Sequence, residues 1–88
     1  MATVRLRGQL KQLAGDQAEH EHSGATVAEV LRGLEDAHPA VRGWVVDERG
    51  RIRPHINVFV NGERGREGSG VGPDDRLEVI PAISGGGA

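Results

Sequence analysis

The sequence has no cysteine and no tyrosine, and Trp44 and Phe59 are its only large aromatic side chains. Without a thiol, disulfides, cysteine nucleophiles and thiolate-bound zinc are excluded. With so few rings, the core of this 88-residue chain must come from Val, Leu, Ile and Ala. Lysine occurs once, at Lys11, and the other ten of the eleven basic side chains are arginines. No charge of one sign dominates, since the formal net charge is −2 and the arginines are interleaved with acids. Nucleic-acid binders carry a basic surplus to neutralise phosphates, so nucleic acid is not an expected partner. No apolar run approaches transmembrane length, and "MATVRLRGQL" lacks the apolar core of a signal peptide. A single cytoplasmic domain with no membrane contact is expected.

What is present reads as an α+β pattern. "TVRLRG" alternates, with Val4 and Leu6 on one side and Thr3, Arg5 and Arg7 on the other, as a half-buried strand does. "LAGD" reads as a turn and "QAEHEHS" as a polar edge strand, the two strands forming a hairpin. In "TVAEVLRGLEDAHP", Val27, Val30, Leu31, Leu34 and Ala37 recur at helical spacing. Thr26 and Glu29 form a capping box at its start, and Pro39 marks its end. "AVRGWVVDERGRIRP" is irregular, with a turn at "DERG". "HINVFVNGERG" is the strongest strand: Ile56, Val58 and Val60 face one way, Phe59 the other, and Asn61-Gly62 favours a tight hairpin. "RLEVIPAI" is the last strand, after a glycine-rich connection at 65–72 that is expected to be mobile. One helix lying across a mixed sheet of four to five strands buries both apolar faces.

Several tempting signals carry no chemistry. The glycines of "GREGSGVG" miss the dinucleotide spacing, and no lysine is placed for a P-loop. His20 and His22 alternate on one strand face; two ligands are too few for a metal, and solvent-facing histidines are the expectation. His38 ends the helix, where a protonated ring would suit the helix dipole. Asp74 and Asp75 fit turn chemistry. No catalytic residue and no metal ligand is assigned.

The chain ends "PAISGGGA", three glycines straight after an apolar run. Glycine forfeits contacts and carries the largest backbone entropy, so such an end suits a passage where no side chain fits. The Thr-Val-x-Glu helix start, the central "INVFVNG", the "PDDRLEVIPA" approach and the terminal Gly-Gly resemble the ThiS/MoaD sulfur-carrier proteins, and most closely the CysO type. That resemblance spans nearly the whole chain and implies the ubiquitin-like β-grasp fold over residues 1–83, with a flexible tail at 84–88.

The resemblance also implies a chemistry. An E1-like adenylating enzyme of the ThiF/MoeB type would use ATP to activate the carboxylate of Gly86, with Ser84 and Gly85 threading into its site. Sulfur would then displace AMP and leave a thiocarboxylate for a sulfur-accepting synthase, cysteine-synthase-like or serving another cofactor or metabolite. The carrier is a co-substrate, not an enzyme, and binds no cofactor itself. Gly87 and Ala88 extend past the Gly-Gly end and imply trimming by a JAMM-type metallopeptidase, after Gly86 or after Gly87. Phe59, Ile80, Ala82 and Ile83 are expected to form the docking surface beside the tail, unless the 40–54 segment covers Phe59. The same activated end would also serve a protein modifier joined to lysines, or the small subunit of a molybdopterin-synthase-like enzyme.

Overall fold

Alternation along two neighbouring strands sets the architecture. In the computed structural model, which describes residues 1–82, β1 (Ala2–Leu6) and β5 (Arg76–Pro81) pair in parallel. Val4 lies opposite Leu77 and Leu6 opposite Val79. β2 (Glu19–His22) is antiparallel to β1 at one edge, and β3 (Ile56–Val60) is antiparallel to β5. The short β4 (Glu63–Arg64) folds back on β3 through Asn61 and Gly62, both at positive φ, as a tight hairpin needs. The described residues thus form a five-stranded mixed sheet in the order β2-β1-β5-β3-β4.

One sheet face carries Val4, Leu6, Ile56, Val58, Leu77 and Val79, all buried. Against it packs α2 (Val27–Ala37), burying Val27, Val30, Leu31 and Leu34. Each such side chain contributes about 1.5–3 kcal/mol on burial, which offsets the cost of Gly33 inside the helix. Thr26 caps the helix, its Oγ1 accepting the Glu29 N–H at 3.3 Å. The return bond of the capping box goes one residue further out, from the Ala25 N–H to Glu29 Oε1 at 3.0 Å.

The glycine-rich connection is fastened where mobility was expected. Ser69 and Glu67 carbonyls accept the Val27 and Ala28 N–H groups, each at 3.0 Å, and the Val71 N–H donates to Ala25 O at 2.9 Å. These bonds satisfy donors of the first helical turn that would otherwise seek an anion.

Two further departures lie near β2. The expected hairpin contains a helix, α1 (Gln9–Leu13), which presses Leu10, Leu13 and Ala14 into the core. "LAGD" is its exit, with Gly15 and Asp16 at positive φ. The histidines face inward, not to solvent. His20 is only 5% exposed, its Nε2 is 2.8 Å from the Gln17 carbonyl oxygen, and its ring meets His38 edge-on at 4.5 Å. His38, at the helix end, thus sits against a second imidazole. Desolvation and then the neighbouring His20 hold its pKa below the ordinary value.

The segment after α2 begins with a 3-10 turn at Pro39–Val41, then buries Val45 and Val46. Glu35, 5% exposed, holds them there: Oε2 accepts the N–H groups of Val45 at 2.9 Å and Val46 at 3.0 Å. The "DERG" turn closes on Asp47, whose Oδ1 accepts from Arg49 and Arg51.

Candidate functional site at the tail exit

Backbone hydrogen bonds fix the place where the chain leaves the sheet. β5 is flanked on both edges, by β1 and by β3. The Arg7 N–H donates to Val79 O at 3.3 Å, Pro81 lies opposite Ile56, and the Ala82 N–H donates to His55 O at 2.6 Å. Gly8 sits beside Pro81 at φ +61, a conformation that favours glycine. Ile83, Ser84, Gly85, Gly86, Gly87 and Ala88, to which the sequence assigns docking, threading, reaction and trimming, lie outside the described residues.

Strand alternation puts Arg5, Phe59, Glu78 and Ile80 on the face turned away from α2. Phe59 is half-buried, opposite Glu78 on one side and Arg64 on the other. It lines a shallow hollow of about 210 Å³ with Thr3, Arg5, Glu19 and Glu78. No residue of the 40–54 segment lines that hollow, and Phe59 is not part of the buried core. Ile80, half-buried, pairs with Asn57, and Ala82 is exposed. The expected patch is thus two apolar side chains set among charges. Arg7 Nε donates to Glu78 Oε2 at 2.6 Å, and Arg5 lies 3.9 Å from Glu19.

At the other end of β5, Asp75 does the turn work expected of it. Oδ2 accepts the Gly72 N–H at 2.8 Å and Oδ1 accepts from Asn61 Nδ2 at 2.9 Å. These bonds, the Gly72 one foremost, hold its pKa below the usual carboxylate range. Among the described residues no group of three His, Asp or Glu side chains is arranged to hold a metal ion. Nor is any helix there long and apolar enough to cross a membrane. A pinned exit strand beside a charged sheet face can present a chain end to another protein.

The sequence model of the ThiS family matches residues 4–86. This chain belongs to the ThiS family. It is 40% identical over 62 residues to small archaeal modifier protein 1 of Haloferax volcanii, covering 70% of this chain and 71% of that one. Among solved structures, the Amycolatopsis orientalis BexX/CysO complex contains a similar chain, with a TM-score of 0.85 at 30% identity, over 94% of this chain and 97% of that one. The crystal structure of small archaeal modifier protein 1 from H. volcanii gives 0.80 at 33% identity, over 94% and 96%. The fold is therefore the ubiquitin-like β-grasp, and this ThiS-family chain is one of the small ubiquitin-like carriers and modifiers. Glu35 and the inward histidines escaped the sequence reading. Glu35 adjoins buried Leu34 in the helical stripe, and that was the signal available.

Proposed function

We propose that this chain is a sulfur carrier whose Gly86 carboxylate is the reacting group. The observation that carries this reading is where the family match stops: at residue 86, leaving Gly87 and Ala88 beyond it. Trimming after Gly86 by a JAMM-type metallopeptidase frees that carboxylate. A carboxylate is a poor electrophile at neutral pH, so an E1-like enzyme first transfers AMP to it from ATP, releasing pyrophosphate. A sulfur nucleophile then attacks the acyl carbon, the bond to AMP breaks, and a thiocarboxylate remains for the sulfur-accepting synthase. The glycines let the main chain approach a buried nucleotide site closely. The folded body, gripped through Phe59, Ile80, Ala82 and Ile83, makes delivery of the tail effectively intramolecular.

The protein-modifier reading is favoured by a different observation, the likeness to small archaeal modifier protein 1. Both readings need the same activated end and differ in the acceptor. Intact mass of the protein isolated from its own cells separates them. A carrier has lost Gly87-Ala88 and gained the difference between one sulfur and one oxygen. A modifier appears on foreign lysines as higher-mass bands. A chain that keeps Gly87-Ala88 and carries neither mark contradicts both.

A further inference from the structure

Two arginine-lined hollows adjoin on one side of the molecule. β4 is registered on β3 only at Phe59 and Val60, and a hollow of about 550 Å³ lies beside Ile56 and Val58. Arg53, Arg64 and Arg66 line it, and Ile52 and Pro54 add apolar surface. A second hollow, also about 550 Å³, shares Glu67 with the first and is lined by Arg32, Arg49 and Arg51. The 49–53 and 64–67 segments are distant in sequence; the Ile52 N–H, donating to Glu67 Oε2 at 2.8 Å, ties them together.

The positive charge here is not neutralised from within. The acids that line the two hollows are Glu29 and Glu67, against six arginines. Both carboxylates already accept a backbone N–H, Glu29 from Ala25 and Glu67 from Ile52. Asp47 lines neither hollow, and its Oδ1 is engaged by the Arg49 and Arg51 N–H groups. Among the described residues Arg5, Arg7 and Arg42 form ion pairs, and none of these six does. Arg53 is half-buried, its Nε donating to Gly43 O, while the other five are exposed. A chain of net charge −2 thus concentrates unpaired guanidinium groups on one side.

We propose that this side is a protein-docking surface for an acidic segment of a partner, with carboxylates for the arginine rims and an apolar side chain for the surface at Ile52 and Pro54. A guanidinium holds a carboxylate through two parallel N–H donors, and opposite charges steer the encounter. The apolar surface favours a protein segment over a phosphate chain, which has no apolar side chain to place there. A long polyanion would also meet the acids that make the whole chain negative. Ile56 and Val58 face α2, whereas Phe59 faces the other way, so the hollow beside β3 and the hollow at Phe59 lie on opposite sides of the sheet. A partner held by these arginines therefore leaves the Phe59 face uncovered, and two proteins can grip the body at once. Nothing in this depends on activation of the carboxyl end.

The test titrates the full chain with a synthetic peptide of about ten residues, glutamates around a central leucine, and follows backbone amide NMR shifts. Shifts should concentrate at 49–54 and 64–67. Binding should weaken at least about tenfold between salt of about 0.02 M and about 0.15 M, because exposed charges are screened. Arg64→Gln together with Arg66→Gln removes two exposed guanidinium groups, spares the core, and should weaken binding about fivefold. Arg5→Gln together with Arg7→Gln should leave it within about twofold. No binding at low salt, shifts centred on Phe59, equal binding of a glutamine version of the peptide, or an unchanged affinity in the Arg64 and Arg66 double variant would each overturn the proposal. So would tripolyphosphate or a uridine oligonucleotide that binds the same residues more tightly than the peptide, a result that assigns the surface to phosphates.

Discussion

Glu35 ties the helix to the segment that follows it. Its carboxylate accepts two buried N–H groups, so removing it leaves both without an acceptor. An unsatisfied buried donor costs about 1–3 kcal/mol. Glu35→Ala should therefore destabilise by about 2–4 kcal/mol in urea unfolding, and Glu35→Gln, which keeps one carbonyl oxygen, by less. Phe59 is the contrasting case. Being half-buried on the open face, it should lose only about 1–2 kcal/mol on Phe59→Ala, well below a core phenylalanine. The larger effect should appear as weaker binding to the adenylating enzyme. A full binding affinity together with a loss of 3–5 kcal/mol, the range of a core deletion, would assign Phe59 to the core after all. The outward direction of Phe59 was legible because a strand has a period of two and Ile56 and Val58 are apolar. The role of Glu35 was not, because helical spacing shows which residues share a face but not which distant N–H groups a carboxylate meets.

Among elements, the long alternating strands and the capped helix were legible, and the short ones were not. α1 has barely one turn, too little for a helical period to show, and its two apolar residues, Leu10 and Leu13, are consistent with a turn until the core behind them is known. β2 was placed correctly as a strand, but "EHEH" offers two polar faces and gives no sign which is inward. The sheet decides it, by turning His20 and His22 toward α2 and His38. That arrangement has a consequence for pH. Burial first, and then neighbouring histidines, push the pKa values of His22 and His38 below 6.5. The unfolded chain thus binds these protons more readily, and stability rises with pH through this window. The contribution should be complete above pH about 6.5 and fall away as pH drops through the lowered folded values. Urea midpoints measured at pH about 7.5 and about 5.5 should show the loss. An unchanged midpoint would contradict the packing of these rings. A second, more acidic loss is expected from Asp47, Glu67 and Asp75. Backbone N–H donors are the leading cause that lowers each pKa, and each contribution disappears as pH falls below its ordinary value of 3.8 or 4.5.

For the whole molecule, the mixed sheet with a helix across it and the family were legible from motifs in the right sequence order, whereas the order of strands β2-β1-β5-β3-β4 was not, because alternation shows which residues share a face but not which strands are neighbours. The parallel pairing of β1 with β5 brings the C-terminal ends of both strands to the same end of the sheet, and it is this topology that sets Gly8, at the start of α1, beside Pro81. In the proposed reading, the body that partners grip and the carboxyl end that reacts are separate parts, so shortening the end should spare the fold. Deleting residues 86–88 should leave the urea midpoint unchanged while abolishing activation. The most direct test supplies the trimmed chain with ATP, a cognate E1-like enzyme and a sulfur source, and reads its intact mass. A carrier gains the difference between sulfur and oxygen at Gly86, and the Gly85→Val chain does not. A trimmed chain whose mass never changes under those conditions contradicts the account.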